Sequence, residues 1–128
     1  MPKYLSQEWL DEARALAQDQ PERPGASATM QFVITGTPDG DVKYYWILEN
    51  GQLTEASRGE LPDAEVTLTT GYADSVAIQK GEMDPNAAFM QGKTKVTGNM
   101  AKLMLLMPLT MSAEYRALQD QVRARTEY

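Results

Sequence analysis

Residues Asn99 to Met111 read NMAKLMLLMPLTM, and this run limits the possible folds more than any other part of the chain. It is too short to cross a bilayer, which takes about 20 apolar residues. Met100, Leu103, Met104 and Met107 fall at i, i+3, i+4 and i+7, one face of a helix. Leu105 and Leu106 make a second side apolar. A helix that is apolar nearly all round has to be buried on more than one side, so a broad partner surface such as a sheet is needed. Methionine is flexible and fills irregular or changing shapes. Two readings follow: a solid core filled with methionine, or the wall of an apolar cavity.

The chain has 128 residues, a length expected for one domain over 1–128. A domain of this size buries roughly two-thirds of its unfolded surface and can hold a real core. There is no cysteine, which excludes disulfides, zinc thiolates and cysteine nucleophiles. There is no histidine, which removes the commonest general base and the commonest metal ligand. No cofactor and no metal is expected. A net charge of −6 repels nucleic acid and anionic bilayers. Membrane contact is expected to be at most transient, hydrophobic and insensitive to salt; Lys93, Lys95 and Lys102 are the only concentrated cations. The opening MPKYLSQEWLDEARALAQ reads as an amphipathic helix rather than a signal peptide, and the last residues, Arg125 to Tyr128, lack the peroxisomal S-K-L address. A cytoplasmic location is the expectation.

Ser6 is a fair N-cap for a helix carrying Leu5, Trp9, Ala13 and Leu16 on one stripe. Pro21, Pro24 and Gly25 break it. Met30, Phe32 and Ile34 alternate with Gln31, Val33 and Thr35 as a first strand. After the turn Thr37–Gly40, Val42 to Glu49 form a second, with Tyr44, Trp46 and Leu48 on one face. Asn50-Gly51 marks a tight hairpin into a third strand over 52–57, and Val66 and Leu68 mark a fourth. A helix follows, with Thr70 as cap, Tyr72, Val76 and Ile78 as apolar contacts, and Gly81 as its C-terminal stop. Asp84-Pro85 opens a short helix with Ala88, Phe89 and Met90. Lys93 to Thr97 is a fifth strand, on which Lys93 and Lys95 face the same way. After the apolar helix, ended or kinked by Pro108, Met111, Tyr115, Leu118 and Val122 stripe a last helix. Early hairpins followed by helices indicate an α+β sheet covered on one face.

Motifs for chemistry are sparse. AAFMQGKT lacks the glycine that a phosphate loop needs five positions before Gly92; Ala87 stands there, and the strand–loop–helix order is wrong. Glu82 and Asp84 flank a helix cap, where capping explains them without acid–base work. G-x-S-x-G and G-x-G-x-x-G are absent.

Residues 63–106 carry a more specific pattern. Asp63-Ala64-Glu65-Val66-Thr67-Leu68-Thr69-Thr70 leads to Tyr72-Ala73-Asp74, and then to GEMDPNAAFMQGKTKVTGNM over 81–100. This resembles the sterol carrier protein 2 domain family, the nonspecific lipid-transfer fold, and Trp46 and Asn50-Gly51 fit the same pattern. The resemblance implies a five-stranded, mostly antiparallel sheet covered on one face by helices, with an apolar tunnel between them. It implies a soluble carrier of fatty acids, fatty acyl-CoA, sterols or similar hydrophobic ligands, without chemistry of its own.

The alternating strands and the all-round apolar helix together suggest a cavity lining. The sheet side would be Phe32, Ile34, Trp46 and Leu48. The helix side would be Phe89, Met90, Met100, Leu103, Met104 and Met107, with Met111 and Tyr115 near the mouth. Met104, on this reading, is buried. Two other functions stand beside the carrier: an interaction domain that docks a partner on the Met–Leu surface, and an enzyme using Tyr or Asp on a lipidic or steroid substrate. A monomer and a homodimer are both compatible with the sequence.

Overall fold

The computed structural model describes residues 2–128, apart from the side chains of Asp19, Asn86, Met107 and Thr110. Helix α1 (Gln7–Leu16) starts at Ser6, whose Oγ accepts from the Trp9 N–H at 3.1 Å. It buries Trp9, Leu10 and Ala13 and runs on into a short 3₁₀ turn (Ala17–Asp19). Strands β1 (Ala28–Thr37), β2 (Gly40–Glu49), β3 (Gln52–Arg58), β4 (Val66–Gly71) and β5 (Thr94–Gly98) form one sheet in the order β3-β2-β1-β4-β5. Three of its pairings are antiparallel and β1–β4 is parallel. Helices α2 (Tyr72–Gln79) and α3 (Pro85–Met90) lie between β4 and β5 in the chain; α4 (Met100–Thr110) and α5 (Ala113–Ala124) follow β5.

The β2–β3 hairpin turns at Asn50 and Gly51, with φ of 51° and 83°, the left-handed pair that matches strand twist. A side chain at Gly51 has no room, since its Cβ would stand 2.8 Å from Arg23 Cβ. The parallel pairing of β1 with β4 requires a return path, which the 59–65 segment supplies across the outer face of the sheet. Gln31, buried on that face, anchors it. Its amide donates to Gly59 O at 3.1 Å and Tyr44 O at 2.8 Å, and its Oε1 accepts from the Leu61 N–H.

The inner face carries Met30, Phe32 and Ile34 of β1 opposite Trp46, Tyr44 and Val42 of β2 and Val66, Leu68 and Thr70 of β4. Two clusters cover it. In one, Trp9 and Leu10 of α1 and Val122 of α5 pack with Ile34, Val42 and Tyr44, joined by partly buried Tyr72 and Val76 of α2. In the other, Leu106 and Leu109 of α4 pack on Met30, Leu48, Ala26 and Ala28. Phe32 and Trp46 touch both clusters. The sheet is therefore helix-covered on one face, as the sequence indicates.

Local details differ. Thr70 is not the cap of α2: that position is Gly71, without a side-chain bond, and Thr70 is a buried strand residue facing Thr94 Oγ1 at 3.2 Å. Asp84 does cap α3, accepting from the Ala87 N–H at 3.3 Å, with Pro85 at the first turn. β5 begins at Thr94, so Lys93 belongs to the turn before it.

Candidate functional site

The sheet side of the expected lining assembles. Ile34 and Leu48 are buried, and Phe32 and Trp46 are partly buried beside them. These rings are packed, however. Phe32 stacks on Tyr44 at 4.7 Å between centroids and meets Trp46 at 4.8 Å. Neither of the two grooves described below is a continuous apolar tunnel between sheet and helices. Two distinct grooves lie elsewhere. One, of about 610 Å³, sits on the outer face beneath residues 60–64. The other, of about 250 Å³, runs between residues 23–26 and Leu105, Pro108 and Leu109 of α4.

The helix side is placed otherwise. Met104 is 66 % exposed and Met90 84 %; Phe89, Met100, Leu105 and Met111 are exposed as well. Leu103 and Tyr115 are partly buried, and Met107 lies outside the described side chains. The face that α4 turns inward carries Lys102, Leu106 and Leu109, while Met100 and Met104 face outward. Lys102 Nζ reaches Glu65 Oε2 at 3.5 Å and Ser27 O at 3.3 Å. Glu65 is itself fixed: its other carboxylate oxygen accepts the Thr29 N–H at 3.2 Å, its N–H donates to Thr29 Oγ1, and its carbonyl accepts the Asn99 N–H at 2.7 Å. The Lys102–Glu65 pair thus lies on the same side of α4 as the buried Leu106 and Leu109. The entry to α4 is equally constrained. Gly98 sits at φ +107°, and a Cβ there would run into the Glu65 carbonyl.

Burial sets the acidities on the inner face. The phenol of Tyr44 is pushed well above the ordinary range by desolvation. That of Tyr115 is raised to about 12 by burial, which a bond from Gln119 partly offsets. Trp46 Nε1 is a buried donor with no partner. Among the described residues no group of three acidic side chains is placed to hold a metal ion, and no helix is long and apolar enough to cross a membrane.

These elements match a known pattern. Residues 10–111 match the SCP-2 sterol transfer family. The chain belongs to that family. It is 32% identical over 91 residues to non-specific lipid-transfer protein-like 1 of Caenorhabditis elegans, which covers 71% of this chain and 76% of that one. It is 44% identical over 48 residues to human sterol carrier protein 2, which covers 38% of this chain and spans only 9% of the human protein's length. The structure superposes on a palmitated sterol carrier protein 2-like 2 from Aedes aegypti with a TM-score of 0.62 at 19% identity, over 84% of this chain and 92% of that one. The family accounts for the five-stranded sheet with its helical cover.

Proposed function

We propose that this chain binds lipids in its helix-covered face and carries them between sites, as a carrier and not as an enzyme. Fatty acids, fatty acyl-CoA and sterols are the ligand classes that fit. The observation that carries this reading is the seating of α4: two leucines, Leu106 and Leu109, hold an eleven-residue apolar helix on the sheet while Met100, Met104 and Leu105 stay exposed. Such a helix lifts at modest cost. Exposing two leucines costs about 3–6 kcal/mol. An acyl chain of roughly 15 methylenes gains about 12 kcal/mol on burial, before the costs of association. The groove at Leu105, Pro108 and Leu109 is the entry, and its 250 Å³ lies just below the roughly 300–1,000 Å³ of ligand pockets, so α4 moves outward as the chain enters.

In this reading Phe32, Ile34, Trp46 and Leu48 form the bed of the ligand, with Leu103 and Tyr115 on the helix side. Met100, Met104, Met111, Phe89 and Met90 form the rim. The unpartnered Trp46 N–H offers one polar contact to a carboxylate or hydroxyl. The family membership and the palmitate held by the mosquito protein support the ligand class. Acid–base catalysis is disfavoured because burial moves Tyr44 and Tyr115 away from neutrality, whereas a general acid or base works best near the operating pH.

Native mass spectrometry of protein purified without detergent, together with displacement of a fluorescent fatty acid, tests the proposal. An adduct of lipid mass and saturable displacement are expected. No adduct and no uptake of the probe would overturn it. Turnover of an acyl-CoA or steroid, abolished by a single change at Tyr or Asp, would give the enzyme reading instead.

A further inference from the structure

The sheet has two edge strands, β3 and β5, and only one is closed. Helix α1 closes β3: Arg14 Nε donates to Thr54 O at 2.8 Å, Gln7 Nε2 donates to Ala56 O at 3.3 Å, and the Arg58 N–H donates to Gln7 Oε1 at 2.9 Å. Those main-chain groups are the ones a further strand would need. β5 has no such cover. The Asn99 N–H donates to Glu65 O at 2.7 Å, in the register that sets Gly98 opposite Val66. Ladder bonds alternate along an antiparallel pair. Lys95 and Thr97 therefore turn their N–H and C=O groups to β4, and Thr94, Val96 and Gly98 turn theirs to the open edge. Among the described residues, none of these outward groups takes a backbone partner outside the sheet. Thr97 and Gly98 are exposed and Val96 is partly buried.

A row of main-chain donors and acceptors is complemented by another strand. β5 complements itself. Antiparallel pairing about a two-fold axis at Val96 overlaps all five residues of the strand and sets Lys95 opposite the partner's Thr97. A shift of the axis by one residue toward the start of the strand would set Lys95 against the partner's Lys95, and like charges directly opposite destabilise a pair. The flanking helices follow the same symmetry. α3 ends just before β5 and α4 begins just after it, so Phe89 and Met90 of one copy come to the end where the partner's Met100 stands. These side chains are 42, 84 and 43 % exposed, and solvent-facing apolar groups of this kind mark an interaction surface. Charge points the same way. No acidic residue lies from position 85 to 113, so two chains of net charge −6 meet where neither presents a carboxylate. Because α1 closes β3, strand addition cannot continue at the other edge, and the assembly stops at two.

We propose that this chain forms a two-fold homodimer through antiparallel pairing of β5 with the partner's β5, joining two five-stranded sheets into one of ten. The groove at Leu105, Pro108 and Leu109 lies by the part of α4 that packs on β1 and β2, across β4 from this edge. Dimerisation therefore leaves that groove open.

Sedimentation equilibrium over a range of protein concentrations tests it, and a reversible dimer is expected. Val96→Pro removes the outward N–H and leaves the β4 ladder intact, since proline is tolerated on an edge strand whose N–H faces solvent. It should weaken association about tenfold or more. The double variant Met90→Asp with Met100→Asp should do the same while keeping the parent's melting temperature, because both positions are exposed. The register is read by cross-linking. The chain has no cysteine, so an introduced thiol reports alone. A mixture of Lys95→Cys and Thr97→Cys proteins should join into covalent dimers under mild oxidation, and each protein by itself should join far less. A parent that stays monomeric up to about 1 mM overturns the dimer. So does a Met90/Met100 variant that associates like the parent, or a cysteine mixture that cross-links no better than its components.

Discussion

Replacing Leu106 by alanine, beside the same change at Met104, reads out which side of α4 supports the fold. Leu106 is 2 % exposed and packs among Ala26, Ala28, Met30, Leu48 and Leu109. Truncation removes roughly three buried carbons at about 0.8 kcal/mol each, or about 2.4 kcal/mol of transfer energy. A cavity term adds to it. Two of the neighbours are alanines and two stand on strands held by ladders on both sides, so the space cannot close by rotamer changes alone. The sum falls at about 3–4 kcal/mol, within the range of buried leucine truncations. For a chain of this length each kcal/mol lowers the melting temperature by about 3–5 °C, so a loss of about 10–15 °C is expected. Met104, at 66 % exposure, should tolerate alanine within about 0.5 kcal/mol. Urea denaturation and thermal melts followed by circular dichroism, run side by side, give both numbers. If Met104→Ala costs as much as Leu106→Ala, Met104 packs on the sheet and its outward placement on α4 is wrong.

Gly98→Ala should lower the melting temperature by about 10 °C or more, because it strains a φ of +107° and drives a methyl group into the Glu65 carbonyl; a melt like the parent's would refute the close approach. Alkaline titration should leave stability level up to about pH 10 and reduce it from there toward pH 12. Tyr115 is raised to about 12 and Tyr44 lies further above its ordinary value. The unfolded chain therefore loses these protons first, and stability present below the unfolded pKa is lost as pH rises through the folded one. Tyrosinate absorbance alongside urea midpoints checks this, and stability that is flat or rising above pH 10 would contradict it.

Much of the fold was legible in the chain because local signals and the global pattern agree. Ser6 and Asp84 are caps by chemistry and cap in the structure. Asn50-Gly51 carries the left-handed angles of its turn. The period-two alternation of Met30, Phe32, Ile34 and of Val42, Tyr44, Trp46, Leu48 fixes which side of the sheet is buried, since a slip by one residue would turn every one of these side chains to water. The family pattern over 63–106 supplied the sheet and its helical cover, which the match over 10–111 supports.

What composition and spacing could not supply is the placement of elements whose own pattern is degenerate. Periodicity selects a buried face only where the other faces are polar. Around α4 they are not, and the face that packs, with Leu106 and Leu109 on the sheet and Lys102 beside Glu65, thirty-seven positions away in the chain, is defined only by the folded partners. The same holds for Thr70, whose hydroxyl suits a cap but is spent on Thr94 across the β4–β5 ladder. It holds for Gln31, an ordinary polar residue in an alternating strand that proves to be the buried bracket for the β3–β4 return. Side-chain chemistry and spacing dictated the strands, the caps and the turns, because each depends on neighbours a few residues away. The rotation of the apolar helix, the parallel pairing of β1 with β4, and hence which apolar residues are core and which meet solvent, depend on partners brought close only by folding.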